Sequence, residues 1–227
     1  MPGRNPAGRR IRHAGRVRYP AEFGFSGVFI GTRFRYRWGV RFRWFIAFLV
    51  LVLLLGAARW FYDDWRDHSQ DTVILAAAQR YGVEPALIKA VIWRESRFNP
   101  RALGSRGERG LMQISEMAAQ EWADAEHVKS FDGQHLLDPA TNTLAGAAYL
   151  SKLLKRYSHT DNPVPYALAD YNAGRSNVLR WKKGAASTNS AAFLAQLDFP
   201  GTRKYVEAVM KRYAHYRAIF PKRSGGS

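Results

Sequence analysis

The sequence predicts an all-α domain that follows an N-terminal transmembrane helix. Between Asp71 and Phe220 apolar residues recur at steps of three and four, which is the spacing of one helix face. No run in this part of the sequence alternates apolar and polar residues as a half-buried strand would. Residues that begin and end helices separate the periodic stretches at short intervals. Short helices with short connections therefore predict one compact helical domain over residues 71–220.

Residues 1–43 are predicted to be a basic cytoplasmic tail, mostly disordered. They contain eleven Arg and one Glu, and so carry ten of the seventeen excess positive charges of the chain, without a sustained helical or strand period. Because most of the excess charge lies ahead of an apolar stretch and not in the folded domain, we expect no nucleic-acid partner. A topology signal, together with attraction of the tail to anionic lipids, explains its charge.

Residues 44–62 are predicted to be a transmembrane signal-anchor. Residues 44–58 include no polar side chain, and a helix extended to Tyr62 is ~28 Å long at ~1.5 Å per residue. This length approaches the ~30 Å hydrocarbon core of a bilayer. Arginines before the stretch and aspartates after it predict a cytoplasmic N-terminus and a periplasmic domain, with the anchor in the inner membrane. A signal peptide cleaved after Ala58 is the alternative.

Residues 63–70 are predicted to be a polar linker, and six helices follow it. The first has Asp71 as its N-cap and ends before Gly82, and the second has Pro85 at its first position. The later helices are predicted over residues 110–122, from Asp138 and Pro139 onward, and over residues 165–173 and 202–220. Residues 221–227 are predicted to be a disordered tail.

Glu95 is the candidate catalytic residue. Ile88, Val91 and Ile92 precede it by seven, four and three positions, so all four side chains share one face of the second helix. Burial beside apolar side chains raises the pKa of a carboxyl group, and the negative end of the helix dipole acts in the same direction. A carboxyl group that stays neutral near pH 7 can donate a proton to a leaving group. The pattern predicts a general acid.

Other kinds of catalytic site are poorly supported. The chain has no cysteine, which excludes disulfides, thiolate metal ligands and a thiol nucleophile. Its six histidines show no metal-ligand spacing, so we expect neither a metal nor a cofactor. The glycine-rich loop of residues 104–110 lacks the spacing and the Lys-Ser/Thr ending of a phosphate-binding loop.

Four segments resemble the soluble lytic transglycosylases in order and in spacing. The first runs from Glu95 to Pro100 and continues through Ser105 to residues 110–114. The others are Leu137 to Leu150, Tyr171 to Gly174, and Thr202 to Val206. The resemblance covers roughly residues 71–217 and implies a goose-type lysozyme-like fold that acts on peptidoglycan. One residue more than the usual family spacing separates Glu95 from Ser105.

The resemblance implies that Glu95 is a single catalytic acid. In the family this residue protonates the bond between N-acetylmuramic acid and N-acetylglucosamine. Its carboxylate then assists attack by the muramic acid 6-hydroxyl, which leaves a 1,6-anhydro end. Tyr171 is expected to orient Glu95, and Asn172 to bind an N-acetyl or hydroxyl group. The substrate-binding residues that the resemblance implies are Ser105, Met112, Gln113, Tyr171, Asn172 and Tyr205.

Several alternatives stay open at this point. Core packing is the alternative role for Met112 and Tyr205, and helix-end packing or capping for Tyr171 and Asn172. Glu108 and Asp170 stand where the family commonly has alanine. We interpret Glu108 as a solvated loop charge balanced by Arg106 and Arg109. For Asp170 two alternatives stay open, a second carboxyl group of the site and a side chain that points to solvent.

Three functional readings follow from these residues. A lytic transglycosylase needs no second carboxyl group, whereas a hydrolytic muramidase would need one such as Glu108 or Asp170. A glycan-binding scaffold without activity is the third reading. The expected partners are the glycan strands of peptidoglycan and the inner membrane through residues 44–62, with cell-wall or secretion machinery as a further candidate.

Overall fold

The computed structural model describes residues 33–219, with side chains from Gly39 onward. Most of these residues are helical, and they form no β-strand. The predicted all-α class is therefore confirmed. The predictions for residues 1–32 and 220–227 lie outside the described residues. The helices are α1 (Arg33–His68), α2 (Asp71–Tyr81), α3 (Pro85–Glu95), α4 (Glu116–Ala125), α5 (Pro139–Arg156), α6 (Pro163–Ala173), α7 (Arg175–Trp181), α8 (Ser190–Gln196) and α9 (Pro200–Ile219), with short 3₁₀ turns at Gly133–Leu137 and Gly184–Ser187.

Helix α1 carries the apolar segment. Its part up to Leu54 belongs to one structural unit, and the chain from Leu55 onward forms a second unit. The large apolar side chains of residues 44–55 are exposed, and the helix is long and apolar enough to cross a membrane. Residues 33–43 are helical and so differ from the predicted disordered tail.

Residues 63–68 of the predicted linker are helical, because α1 continues to His68. An ion pair between Arg59 and Asp63 (3.0 Å) joins successive turns of the helix here. The Tyr216 hydroxyl donates a hydrogen bond to the Asp67 carboxylate from α9. These contacts explain why a polar stretch remains helical.

Helix α3 lies at the centre of the core of the second unit. Every residue from Pro85 to Ile92 is buried, and α3 packs against both α2 and α9. Lys89 is the charged residue in this stretch, and its ammonium group donates a 2.6 Å hydrogen bond to Asp71. The N-cap of α2 is Gln70 and not Asp71 as predicted, and Asp71 is the first residue of the helix.

Helix α5 forms the other half of this packing, against α2, α4 and α6, while α6 also packs on α9. Its start follows the sequence signal, because the Asp138 side chain accepts from the Thr141 amide (2.8 Å) and Pro139 takes the first position. The ends of α3 and α6 and the loop before α4 then meet on one side of the core.

The predicted helix over residues 110–122 is wrong in its first half. Helix α4 begins at Glu116, after Ser115, whose hydroxyl accepts from the Ala118 amide (3.3 Å). Residues 110–114 instead form a tight loop in which Gly110 and Gln113 have φ angles of 75° and 49°. Such left-handed residues cannot continue a right-handed helix.

The remaining boundaries agree closely with the sequence. Helix α6 begins two residues before the predicted Pro165, and α9 begins two residues before the predicted Thr202. Helices α7 and α8 are not predicted, since each has only seven residues and so shows fewer than two full turns of its apolar face.

Candidate active site

Glu95 is the last residue of α3 and is partly buried. Its Oε1 atom accepts a 2.6 Å hydrogen bond from the Tyr205 hydroxyl on α9. After Ser96 the chain passes through Arg97 and Phe98, whose φ angles of 52° and 62° are both left-handed. Strained backbone of this kind persists where surrounding packing holds it, and here the buried Phe98 ring holds the turn that ends α3. The carboxyl group is thus fixed at the edge of the core.

The environment of Glu95 favours its neutral form. Burial raises the pKa of this carboxyl group above its ordinary value. The hydrogen bond from Tyr205 and the positive charge of Arg94 act in the opposite direction, and the negative charge of Glu108 adds to the rise. The net direction is upward, as the apolar helix face predicts.

The loop before α4 depends on Asn142 of α5, which is fully buried. Its Nδ2 atom donates to the carbonyls of Arg109 (2.7 Å) and Leu136 (2.9 Å), and its Oδ1 atom accepts from the Met112 amide (2.7 Å). Gly110 lies against this side chain. A Cβ atom there would lie 2.2 Å from the Leu136 carbonyl oxygen, so the loop requires glycine at this point.

Gln113 projects from this loop with its side-chain amide fixed. Its Nε2 atom donates to the carbonyls of Ala102 (3.1 Å) and Gly110 (3.0 Å). A non-glycine residue with a left-handed φ costs roughly 1–3 kcal/mol and is common at binding sites. The strain at Gln113 is consistent with a site that needs this side chain in one orientation.

A cavity of about 590 Å³ lies beside these groups. It brings together five of the seven residues that the sequence proposes for the site: Glu95, Ser105, Gln113, Tyr171 and Asn172. Its volume falls in the usual range for small-molecule sites.

Two predicted cleft residues lie elsewhere. Met112 is fully buried and packs against Gly146, where an added Cβ atom would lie 2.3 Å from the Met112 sulfur, so Met112 does not line this cavity. Tyr205 is also buried and reaches Glu95 from the core side. The Tyr171 hydroxyl donates to the Met112 carbonyl (2.7 Å). The hydroxyl that contacts Glu95 is therefore that of Tyr205, and not that of Tyr171 as expected.

The polar residues on the cavity wall differ in how much freedom they have. Asn172 is partly buried, and its Oδ1 atom accepts a 3.0 Å hydrogen bond from Thr202. Its amide nitrogen makes no bond within the described part of the protein, and so remains able to donate to a ligand. Ser105 is exposed on the loop side of the cavity.

Asp170, one of the two residues considered above as a second carboxyl group, does not point to solvent. It is 2% exposed, and its Oδ2 atom accepts from Arg156 (2.7 Å) and from the Tyr157 hydroxyl (2.6 Å). These bonds engage the carboxylate within the fold, although residue 170 also borders the cavity. Asp170 is consequently a buried ion-pair partner.

Glu108 lies on the loop wall and pairs with Arg106. Its carboxylate accepts from the Arg106 side chain (3.0 Å) and backbone amide (3.0 Å). Desolvation acts to raise the pKa of Glu108, but hydrogen bonds from the backbone amides of Glu108 and Arg106, with the charge of Arg106, bring it below its ordinary value. The pKa values of the two carboxyl groups are thus shifted in opposite directions, that of Glu108 downward and that of Glu95 upward.

Sequence reasoning missed two parts of the cavity wall. Met117 is 83% exposed at the start of α4, and Tyr149 on α5 lies with its ring 5.4 Å from the ring of Tyr171. Both residues line the cavity. Tyr149 belongs to a segment that resembles the family, from Leu137 to Leu150. This resemblance was the signal that could have identified Tyr149 as a site residue. In the described part of the chain no three potential His, Asp or Glu metal ligands come together.

Comparison with known proteins assigns this arrangement to a family. The sequence model of the transglycosylase SLT domain matches residues 72–194, more than half of the chain. The chain belongs to the transglycosylase SLT domain family. The matched range includes the five proposed residues that line the cavity, while Tyr205 lies beyond it.

Proteins of known structure support the same assignment. The 70 kDa soluble lytic transglycosylase of Escherichia coli has a TM-score of 0.60 at 26% identity, over 73% of this chain and 30% of that one. An inactive mutant of the lytic transglycosylase Slt of Pseudomonas aeruginosa has a TM-score of 0.59 at 27% identity, over 65% and 24%. The lysozyme-like SLT-domain fold is therefore confirmed.

One curated relative has a name that describes it as membrane-bound. The membrane-bound lytic murein transglycosylase C of Pectobacterium atrosepticum is 38% identical over 125 residues, which is 52% of this chain and 34% of that protein. The chain thus spans about a third of the length of this SLT-domain relative.

Proposed function

We propose that this SLT-domain protein is a membrane-anchored lytic transglycosylase. It would cleave the bond between N-acetylmuramic acid and N-acetylglucosamine in peptidoglycan and leave 1,6-anhydro-muramic ends. The observation that carries the proposal is the partly buried Glu95 carboxyl group with a raised pKa, bonded to Tyr205 and open to the cavity. The curated and solved relatives bear the names of lytic transglycosylases, which supports the same activity.

The proposed reaction needs one carboxyl group in two roles. Neutral Glu95 donates its proton to the glycosidic oxygen as the bond to the anomeric carbon breaks. The resulting carboxylate accepts the proton of the muramic acid 6-hydroxyl as that oxygen attacks the same carbon. Because the nucleophile belongs to the substrate, the attack is intramolecular and needs no positioned water. A solved relative that is inactive carries a glutamate-to-glutamine change, which supports an essential glutamate.

The other two carboxyl groups at the cavity are poorly suited to activate water. Inverting and retaining glycosidases use a second free carboxylate for that purpose or as a nucleophile. Asp170 is engaged by Arg156 and Tyr157. Glu108 is engaged by Arg106, on the loop wall. This pairing favours the transglycosylase over the muramidase.

Neutral donors and aromatic rings complete the proposed site. Gln113, Ser105 and Asn172 would bind hydroxyl and N-acetyl groups of the sugars. Rings of Tyr149 and Tyr171 offer flat apolar surface beside them. Tyr205 acts as a positioning residue for Glu95, since it touches the carboxyl group from the buried side.

The proposed anchor is residues 44–62, between a cytoplasmic tail of residues 1–43 and a periplasmic catalytic domain of residues 71–220. Exposed apolar side chains along this part of α1 and the membrane-bound relative support anchoring. The excess of arginine ahead of the segment supports the orientation.

The proposed reaction is tested by mass analysis of the products that the purified full chain releases from peptidoglycan sacculi. We expect muramic acid ends lighter by one water than hydrolysed ends. Reducing ends throughout would instead identify a muramidase. Equal, negligible release by the wild type and by Glu95→Gln would identify a glycan-binding scaffold.

The rate of lytic release is expected to depend on pH through Glu95. The carboxyl group must be protonated to act as the acid, so activity is full below its raised pKa. Above that pKa the rate falls by about tenfold per pH unit, as for any single essential acid. Tyr205→Phe removes a contact that lowers this pKa, and Glu108→Gln removes a charge that raises it.

These two variants are therefore expected to shift the alkaline limb of the pH–rate profile in opposite directions, Tyr205→Phe upward and Glu108→Gln downward. Rates of sacculus solubilisation between pH 4 and pH 9, with Glu207→Gln as an exposed control, provide the measurement. A profile that neither variant moves would contradict the role of Glu95 as the titrating acid.

A further inference from the structure

A second cavity, of about 710 Å³, lies wholly within the unit that begins at Leu55. It is separate from the catalytic cavity, with which it shares no lining residue. Its wall combines the end of α1, the end of α3 and the last helix, α9. The lining residues that matter are Arg59, Trp60, Arg66, Trp93, Arg97 and Arg212.

Arg97 and Arg212 meet at one aromatic ring. Their guanidinium carbons lie 3.8 Å and 4.4 Å from the centre of the Trp93 ring. Neither side chain pairs with a carboxylate within residues 39–219. The pKa of Arg97 is lowered by burial and by the positive charges of Arg212, Arg94 and Arg66. The two guanidinium groups therefore place two positive charges at one ring, and an anion bound beside them would relieve their repulsion.

Three aspartates also line this cavity, and each of them contacts another group. Asp64 is exposed and lies 3.9 Å from His68. Asp63 pairs with Arg59 (3.0 Å) and lies 3.8 Å from Arg66. Asp67 accepts the hydroxyl of Tyr216 and lies 4.0 Å from Lys89. Asp63 and Asp67 thus offset the positive charges of Arg59, Arg66 and the buried Lys89. Arg97 and Arg212 at Trp93 are left to contact a ligand.

The position of the cavity along the chain indicates which anion is available. Its lining begins at Arg59, directly after the apolar residues 44–58. Arg66 follows by ~10 Å of helix at ~1.5 Å per residue. The headgroup layer occupies about 5–8 Å on each side of the hydrocarbon core. If α1 spans the bilayer as proposed above, this part of α1 lies at the depth of the lipid phosphates.

We propose that Arg97 and Arg212 bind the phosphate of an anionic phospholipid at the periplasmic surface of the membrane, against the ring of Trp93. Guanidinium groups bind phosphate oxygens in a bidentate manner, and tryptophan favours the membrane interface. This inference rests on the proposed anchoring and is independent of the proposed reaction.

The test uses the full chain in detergent micelles with added phosphatidylglycerol, and native mass spectrometry to measure retained lipid. The double variant Arg97→Gln/Arg212→Gln is compared with Arg101→Gln/Arg175→Gln, which removes the same charge from exposed positions outside both cavities. We expect the wild type and the control to retain one lipid with equal affinity. The test variant should bind at least tenfold more weakly.

Four results would overturn the proposal. Equal retention by the test and control variants would show that the arginines are not the site. Equal retention of dioleoylglycerol, which lacks phosphate, would assign the binding to apolar surface. Displacement of the lipid by millimolar inorganic phosphate would indicate a free-anion site. Displacement by soluble peptidoglycan fragments would indicate a site for glycan or stem peptide.

Folding and activity are controlled separately. Thermal melting of each variant checks the fold. If the double variant melts early, Arg212→Gln alone repeats the test with one substitution at a partly buried position of α9. Glu95→Gln is expected to retain lipid as the wild type does. Lipid binding without lytic products would therefore contradict only the proposed reaction, and lytic products without lipid binding would contradict only this inference.

Discussion

Glu95→Gln is expected to reduce the release of peptidoglycan fragments by about 10²–10⁴-fold, the usual contribution of a positioned proton donor. Glutamine has nearly the same shape and still accepts the hydrogen bond from Tyr205. It has no proton to donate to the glycosidic oxygen and cannot accept one from the 6-hydroxyl. The loss should therefore appear in the turnover rate, with binding of glycan strands retained.

The same substitution is expected to stabilise the protein at neutral pH. Because the folded-state pKa of Glu95 is raised, the folded state binds its proton more tightly than the unfolded chain does. Stability from this group is present below the unfolded pKa and is lost as pH rises through the folded pKa. Glutamine has no such loss. The difference in Tm between variant and wild type should consequently be larger at pH 8 than at pH 4.

Sacculus digestion and thermal melting of the full chain in detergent measure both effects. Glu207→Gln on the exposed side of α9 is the matched control, and should change neither activity nor the pH dependence of Tm. Retained lytic activity in Glu95→Gln would contradict the proposed mechanism. A Tm difference that is the same at both pH values would contradict the raised pKa.

The local sequence was sufficient for Glu95. Pro85 and the apolar spacing that ends at residue 95 predict a helix with those bounds, and the structure has it. The pKa direction follows from the same pattern, since burial of one face is visible in periodicity. Predictions of this kind need only contacts within a few turns of one helix.

The parts of the site that depend on distant contacts could not be predicted in this way. Residues 110–114 carry a helical pattern, yet Asn142, thirty positions away, holds them as a loop and buries Met112. The choice between Tyr171 and Tyr205 as the partner of Glu95 depends on the packing of α3 against α9. A periodic pattern does not specify which distant helix supplies a hydroxyl group.

Asp170 illustrates the same limit for charge. The sequence offered a side chain that points to solvent as one alternative for Asp170. The structure buries it because Arg156 and Tyr157, at the end of α5, both donate to its carboxylate. Buried charges are tolerated when they are paired and hydrogen-bonded, and the pairing here requires the contact between α5 and α6.

Asn142→Ala is expected to produce the largest loss of stability of any single substitution considered. It removes three hydrogen bonds and leaves the Met112 amide and the carbonyls of Arg109 and Leu136 buried without this partner. Each such group costs about 1–3 kcal/mol. We therefore expect a loss of roughly 3–5 kcal/mol in the free energy of unfolding, as measured by urea denaturation.

The comparison that isolates this effect is Asn177→Ala, which removes one hydrogen bond, to the Ala173 carbonyl (2.7 Å), at a partly buried position. A loss no larger than in that variant would contradict the role of Asn142. The loop that Asn142 holds also carries Gln113, so lytic activity should fall at temperatures where the Asn142→Ala protein is still folded. The residue that sets the stability of the loop thereby also sets the geometry of the cleft, although Asn142 itself does not line the cavity.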